Sequence, residues 1–227
     1  MHAAPATIAL DLYAEGLFQQ SESVGISVGG PVAPDYTLAI TALQKAIEIE
    51  PKQPANWANL AQAYVQQARY KTGADFDGPM EKALAAYRKS IDLRPDDPTT
   101  HGNYGLALAM VKKYAEADVE VKKANRLDSN GAYSRFFNLA VALNINGAAS
   151  EARTAFQEAI DAAPNDPKNA ESYYQYGNIL VAQAKPENGH FVILPGTIEA
   201  FQQYLHLAPA GPNARSCKAM IAMLGNL

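Results

Sequence analysis

Cysteine is nearly absent from this chain of 227 residues, in which Cys217 is the only one. A single thiol excludes an internal disulfide framework and leaves the redox compartment open. Long apolar runs are also missing: no stretch reaches the roughly 18 consecutive apolar residues that a membrane-spanning helix needs. The opening residues 1–7 lack the basic start and apolar core of a secretory signal. Both a chain whose signal has been removed and a chain that simply starts here fit this composition.

An excess of charge of either sign is missing as well. The 19 Lys and Arg residues stand against 23 Asp and Glu residues, which gives a formal net charge of −4. The Lys pairs 112–113 and 122–123 are interleaved with acidic residues, as on a solvated helix face. A nucleic-acid-binding protein normally carries a basic patch. The charge pattern therefore predicts no nucleic-acid partner.

Motifs of catalysis and cofactor binding are lacking too. The chain has no phosphate-binding glycine loop, no Cys-x2-Cys pair, no His-Glu-x2-His sequence and no nucleophile elbow. Its four histidines are scattered. The Asp-x-Asp of residues 75–77 lacks the remaining ligands of a calcium loop, and residues 74–78 are predicted to be a polar turn. We therefore predict no enzymatic activity, no metal and no cofactor.

A pattern that repeats along the chain replaces these missing motifs. Five times, a helix-forming stretch ends on a small residue, a large apolar residue, another small or packing residue and then proline, at nearly constant spacing, with Ser129 in place of proline in the third copy. The copies are Ala39-Leu43-Ala46-Pro51, Ala83-Tyr87-Ser90-Pro95, Ala117-Val121-Ala124-Ser129, Ala152-Phe156-Ala159-Pro164 and Thr197-Phe201-Tyr204-Pro209. Proline ends a helix because it lacks a backbone donor. A recurring unit of this size predicts stacked helix pairs.

The stretch before each copy carries a second pattern, with large residues and a small one at helical spacing. Its occurrences are Leu10-Tyr13-Ala14-Leu17, Trp57-Leu60-Ala61-Tyr64, His101-Tyr104-Gly105-Leu108, Phe136-Leu139-Ala140-Leu143 and Tyr173-Tyr176-Gly177-Leu180. Together the two patterns resemble the tetratricopeptide repeat (TPR), a helix–turn–helix unit of about 34 residues. The C-terminal half is also similar to bacterial TPR proteins that are often exported.

This resemblance implies an all-α fold, a right-handed TPR solenoid of about five helix–turn–helix repeats closed by a C-terminal capping helix. We predict one domain over residues 1–227. Its repeats are placed at about 7–53, 54–97, 98–131, 133–166 and 170–211, with the capping helix at 212–225.

Repeats one, two and five are longer than the others, and the extra residues fall between the two helices of each unit. The resulting extended loops are predicted at residues 21–34, 68–79 and 184–196. Two of them contain apolar, strand-like runs, at 24–28 and 191–194. These runs have two interpretations: each folds back over its own helix pair, which we favour, or it pairs with a strand of another molecule.

The concave groove is the usual binding surface of such a solenoid, and first helices line it. A ladder of side-chain amides is predicted there, at Asn59, Asn103, Asn138 and Gln175. Amides both donate to and accept from the backbone of an extended peptide. The remaining predicted groove residues are neutral, and they are Gln62, Gln66, Leu106, Met110, Phe137, Val141, Tyr174 and Asn178. Because no cation lies among them, an acidic peptide tail would lack a partner for its carboxylates.

The two ends of the chain are unusually apolar for terminal repeats, which normally present a polar outer face. In the capping helix, Cys217, Met220, Ile221 and Leu224 form the predicted inward face, and little polarity is left on the other side. We predict self-association through the ends and the apolar loops. The residues proposed for it are Leu12, Phe18, Val24, Ile26, Phe191, Ile193, Met220, Met223 and Leu227. A head-to-tail contact of this kind closes a ring or grows a fibre.

The sequence thus predicts a non-enzymatic protein–protein interaction module. Its first interpretation is a homo-oligomer or fibre subunit that assembles end to end. The alternative is a monomeric scaffold that binds a near-neutral extended peptide in its groove. The family resemblance favours an extracytoplasmic location over a cytoplasmic one.

Overall fold

The computed structural model describes residues 36–69, 71–187 and 190–225. These residues form ten α-helices, one short 3-10 helix and one β-hairpin. The helices are α1 (Thr37–Ile49), α2 (Pro54–Ala68), α3 (Ala74–Leu93), α4 (Pro98–Met110), α5 (Tyr114–Leu127), α6 (Ala132–Ile145), α7 (Ala149–Ala162), α8 (Ala170–Ala182), α9 (Thr197–Leu207) and α10 (Ala214–Leu224). The 3-10 helix is Pro167–Asn169, and the strands are β1 (Lys185–Glu187) and β2 (His190–Val192). The all-α class predicted from the repeat is confirmed.

The chain divides into two compact units, with the boundary between Val111 and Lys112. In the first unit α2 packs against α3 and α1, and α3 packs against α4. In the second unit α6 packs against α7, α8 lies between α7 and α9, and α10 packs on α9. The boundary falls inside the segment 98–131 that the sequence assigns to one repeat. The single domain and the repeat bounds remain predictions.

The small and large residues of the repeated closing pattern are buried, while the closing proline or serine is not. Across the five copies the small and large residues of the pattern are between 0% and 3% exposed. The reason is geometric: the spacing of four and then three residues places them on one face of a helix. In α3, α7 and α9 the helix that carries this face packs on the preceding helix of its pair. The apolar periodicity of the sequence therefore identifies the core of every described second helix.

The first large residue of the second pattern makes a hydrogen bond that the apolar spacing of the pattern does not reveal. Trp57 Nε1 donates to the carbonyl oxygen of Pro51 at 2.8 Å. Tyr173 donates its hydroxyl to the carbonyl of Pro164 at 3.0 Å. His101 is fully buried, and its Nε2 lies 2.9 Å from the carbonyl of Pro95. In three repeats this slot thus ties the start of a helix pair to the proline that ends the preceding helix.

One loop prediction is wrong. Residues 74–78, expected to form a polar turn inside an extended loop, are the first residues of α3. Gly73 with φ +59° makes the turn, and Asp75 and Asp77 lie in the first turn of the helix, where carboxylates are stabilised by the helix dipole. Pro79 lies inside the helix and removes one backbone hydrogen bond. In this repeat the extra residues lengthen the helix and leave only a short connection.

The apolar run at 191–194 does contain a strand. β1 and β2 pair antiparallel, with Lys185 opposite Val192 and Glu187 opposite His190. Ile193, just after the hairpin, packs against a cluster formed by Phe201, Tyr204 and other buried residues of α8–α10. The hairpin thus finds its strand partner within its own loop and contacts its own helix pair. The loop 21–34, including its strand-like run, lies outside the described residues.

Candidate functional site

The predicted groove residues lie on the first helix of each pair. In the first unit Asn59, Gln62 and Gln66 follow one another on α2 at intervals of three and four residues. Asn103, Leu106 and Met110 repeat the same spacing on α4. This spacing gives each helix one continuous stripe. Since α2 and α4 also contact each other, the two stripes belong to one surface of the first unit, which we call surface A.

The side-chain amides of surface A differ in whether they already make a hydrogen bond within the chain. Asn59 is exposed and Asn103 is half-buried. Within the described residues neither side chain makes a hydrogen bond. Gln62 instead accepts a hydrogen bond of 2.8 Å from the buried hydroxyl of Tyr87, and Gln66 accepts a longer one, 3.4 Å, from Arg69. Two of the four amides therefore retain their full donor and acceptor capacity for a ligand.

The second unit carries the corresponding residues on α6 and α8, which we call surface B. Asn138 is exposed, and its side-chain amide makes no hydrogen bond in the described part of the chain. Gln175 donates to Glu171 at 2.8 Å. Asn178 and Val141 are half-buried. Of the predicted ladder, Asn138 is thus the amide of this unit that is fully available.

The two aromatic residues of surface B belong partly to the core. The Phe137 ring packs edge-on against Phe156, with ring centroids 5.7 Å apart. Tyr174 lies between Phe201 and Tyr204, with centroid distances of 6.3 and 5.8 Å. Both rings are half-exposed. They offer a ligand one edge or face of each ring and contribute the rest of their surface to their own helix pair.

The residues predicted for self-association have mixed environments. Met223 on α10 is 53% exposed, and its neighbours Ala219 and Ala222 are exposed too. Met220 and Ile193 instead pack against the α8–α10 cluster. Phe191 lies in β2. Leu12, Phe18, Val24, Ile26 and Leu227 lie outside the described residues.

The inward face of the capping helix α10 packs into the core, as predicted. Cys217 is fully buried and Leu224 is 5% exposed, while Met220 and Ile221 pack against the same cluster. The outward face is more polar than the sequence suggested, because Arg215 and Lys218 are exposed in its first half. Burial, and then the nearby Glu171 carboxylate, raise the pKa of the Cys217 thiol to about 11. The thiol is therefore protonated at neutral pH and is not a nucleophile.

Among the described residues, no group of three or more His, Cys, Asp or Glu side chains could hold a metal ion. Within the same residues no helix combines the length and the apolar character that a membrane crossing requires.

Comparison with known proteins agrees with the repeat pattern. The family model described as "Tetratricopeptide repeat" matches residues 127–167. Among curated proteins, the chain is similar to the cytochrome c-type biogenesis protein CycH of Rhizobium meliloti, with 29% identity over 135 residues. That match covers 58% of this chain and 32% of CycH, so the chain spans about a third of the length of this relative.

Solved structures show the same architecture. MamA from Desulfovibrio magneticus RS-1 superposes with a TM-score of 0.61 and 14% identity, over 93% of this chain and 99% of MamA. YrrB, described as a TPR protein with an unusual peptide-binding site, gives a TM-score of 0.56 and 15% identity, over 96% of this chain and all of YrrB. At these identities the likeness is one of fold. It confirms the TPR resemblance, and such a fold is a scaffold for protein–protein interaction.

Proposed function

We propose that this chain, whose fold is that of the tetratricopeptide repeat proteins, binds an extended and nearly neutral segment of a protein partner along its first helices. The observation that carries the proposal is the set of side-chain amides at Asn59, Asn103 and Asn138 that make no hydrogen bond within the described part of the chain. All three occupy the same position of the repeat, next to a buried residue of the core. The bound segment would lie on surface A, surface B or both.

Charge supports the choice of ligand. The residues of surfaces A and B are amides, aliphatic residues, methionine and aromatic rings, with no charged side chain among those predicted to bind. A carboxylate buried here would lose its hydration without gaining a cation. An unpaired amide instead replaces the water that hydrogen-bonds a peptide backbone. Recognition through the backbone predicts tolerance of the ligand's side-chain order.

A selected ligand tests this proposal. Near-neutral ten-residue peptides would be selected by display against the purified chain, and their binding measured by calorimetry. Asn103→Ala and Asn138→Ala should each weaken the binding of a peptide on their surface by about five- to tenfold, since a hydrogen bond contributes about 1 kcal/mol. Backbone N-methylation of the peptide should reduce affinity more than shuffling its side chains.

Asn144→Ala is the matched control. Asn144 is exposed on α6, the helix that carries Asn138, but it points about 120° away around the helix axis. Its replacement should leave the affinity unchanged. Equal affinities of the wild-type chain and the two variants Asn103→Ala and Asn138→Ala, or an equal loss in Asn144→Ala, would refute binding through the amide ladder.

A second function, self-association through the C-terminal end, is favoured by the exposed side chain of Met223 and by the exposed Ala219 and Ala222 beside it. These residues form an apolar strip on the outward face of α10. Met220 and Ile193, also predicted to contribute, are partly engaged in the core. The exposed apolar strip on α10 is therefore smaller than the self-association surface that the sequence predicted.

Light scattering coupled to size exclusion measures this assembly directly. If the strip mediates it, the mass of the wild-type chain should rise with concentration and Met223→Glu should reduce it to that of one chain. Gln202→Glu adds the same charge at an exposed position of α9 and should leave the mass unchanged. A single-chain mass for the wild-type protein at millimolar concentration would rule out this second function.

A further inference from the structure

A cavity of about 370 Å³ lies between α7, α8 and α9 in the second unit. Its lining includes Tyr173 and Tyr176 of α8, Gln157 of α7, and Glu199 and Gln203 of α9. Surface B does not include any of these residues. At this size, near the lower end of the range of ligand pockets, the cavity accommodates a single side chain of a partner.

The sequence of α9 explains why the space is open. Gly196 and Ala200, four residues apart, face the cavity, and no heavy atom lies within 4 Å of the place where a Cβ of Gly196 would stand. At the same time Gly177 allows the ring of Phe201 to approach α8 closely: a Cβ at this position would lie 2.9 Å from that ring. α9 is thus drawn onto α8, while its small residues leave a gap toward α7.

Beside this gap, Tyr176 is more exposed than the residues at the same position of the preceding repeats. It occupies the slot that Leu60, Tyr104 and Leu139 fill in the other repeats, where exposure is 6%, 6% and 1%. Tyr176 is instead half-exposed. Its hydroxyl makes no hydrogen bond within the described residues. A core slot has therefore become an open aromatic surface.

Two carboxylates lie near these rings. Glu199 lines the cavity and is exposed, and within the described residues it forms no ion pair. Burial and then the Asp161 carboxylate raise the pKa of the Tyr173 hydroxyl above its ordinary value. Gln157 donates its Nε2 to Asp161 at 2.8 Å, which leaves its Oε1 as an acceptor. Among the described residues, no lysine or arginine lines the cavity.

We propose that this cavity binds the side chain of an arginine from a partner polypeptide, independently of surfaces A and B. A guanidinium group stacks on tyrosine rings and donates in its plane to a carboxylate and to amide oxygens. The cavity offers these groups in Tyr173, Tyr176, Glu199 and Gln157. The fold already pairs a cation with an aromatic ring elsewhere, since Lys82 Nζ lies 5.6 Å from the centroid of the Tyr64 ring.

Capped tripeptides test the proposal on the full chain. Acetyl-Gly-Arg-Gly-amide would be titrated into protein carrying 13C-labelled tyrosines, with the citrulline peptide as its neutral isostere and the lysine peptide as a second cation. We expect saturable shifts of the Tyr173 and Tyr176 signals for arginine, with a Kd on the order of 1–10 mM. Citrulline should bind at least about fivefold more weakly. Equal binding of arginine and citrulline, or no shift of either tyrosine, would overturn the proposal.

Variants locate the site. Glu199→Gln should weaken arginine binding several-fold, and Tyr176→Leu, which restores the residue found in this slot at Leu60 and Leu139, should weaken it without unfolding the chain. Glu151→Gln changes an exposed carboxylate at the start of α7 and should have no effect. Asn138→Ala should also have no effect, which separates this site from surface B. Unchanged arginine binding in both Glu199→Gln and Tyr176→Leu would place the ligand elsewhere and refute the proposed site.

Discussion

At the scale of single residues, the backbone of Lys112 is under strain. Lys112 has φ +63° in the turn between α4 and α5, a left-handed conformation that costs an L residue about 1–2 kcal/mol. Gly147, with φ +79°, occupies the corresponding turn between α6 and α7. We expect Lys112→Gly to stabilise the chain by about 0.5–1 kcal/mol, since part of the relief is offset by the greater entropy of unfolded glycine. Urea denaturation measures this change.

The opposite substitution at Gly147 is the control. No heavy atom lies within 4 Å of the position of its missing Cβ, so Gly147→Ala introduces backbone strain without a clash. It should destabilise the chain by about 1 kcal/mol. If both substitutions change the free energy of unfolding in the same direction, backbone strain does not determine the choice of residue at these turns.

The buried thiol of Cys217 makes stability depend on alkaline pH. Its pKa is raised from 9.0 to about 11 in the folded chain, so the folded state disfavours the thiolate. The thiol's contribution to the free energy of unfolding is fully present below pH 9. It is lost as the pH rises to about 11, because Cys217 gives up its proton at lower pH in the unfolded chain than in the folded one. Cys217→Ala removes this titration. The difference in stability between the variant and the wild-type chain should therefore shrink between pH 8.5 and 10.5, and a constant difference would contradict the burial of the thiol.

At the scale of elements, α3 shows why a turn motif in the sequence did not give a turn. The segment Asp75–Pro79 combines aspartate, glycine and proline, which usually mark a loop. In the structure the acidic residues lie where a helix N-terminus favours them, and only one backbone bond is lost to Pro79. The packing of α3 along α2 outweighs these weak local preferences.

Two helical glycines should respond differently to alanine. A Cβ on Gly177 would lie 2.9 Å from the Phe201 ring, so Gly177→Ala should force α8 and α9 apart and destabilise the chain by about 1–3 kcal/mol. Gly78 lies in α3, and apart from its chain neighbours and the backbone of its own helix no heavy atom lies within 4 Å of a Cβ there. Gly78→Ala should therefore change the free energy of unfolding by less than about 1 kcal/mol, because the gain in helix propensity is opposed by the restriction that Pro79 places on the residue before it.

Thermal and urea unfolding of both variants give the comparison. A destabilisation of similar size in both would show that glycine is needed at Gly78 for a reason other than space. No destabilisation in Gly177→Ala would show that the close approach of α9 to α8 is not required for folding. Both outcomes would contradict the packing described here.

At the scale of the whole molecule, the repeat predicted the core and not the sites. Ala117, Val121 and Ala124 are each 0% exposed, as their spacing required. The cavity beside Tyr176 could not be predicted, because that slot looks like any other large position of the repeat. Its exposure depends on Gly196 and Ala200, which lie 20 and 24 residues further along the chain. A local pattern does not encode the fit of two helices against a third.

Each unit contains a core cluster of its own, and from this we predict two levels of local stability. One cluster joins Tyr36, Leu43, Leu60 and Tyr64 of the first unit. Another joins Phe201, Tyr204, Cys217 and Leu224 of the second. In repeat proteins stability is approximately a sum of local terms between neighbours. We therefore expect Gly177→Ala to accelerate amide hydrogen exchange in α6–α10 by about tenfold or more, while exchange in α1–α4 stays near the wild-type rate.

The reciprocal variant completes the test. His101→Phe removes the contact with the carbonyl of Pro95 in the first unit and puts a larger ring into a fully buried position, at a cost of about 1–3 kcal/mol. Exchange should then accelerate in α1–α4 and remain slow in α6–α10. If either variant accelerates exchange uniformly, the chain opens as one cooperative body and the boundary at Val111 has no energetic meaning. A confined response would mean that a ligand bound to surface A stabilises the first unit and leaves the stability of the second unchanged.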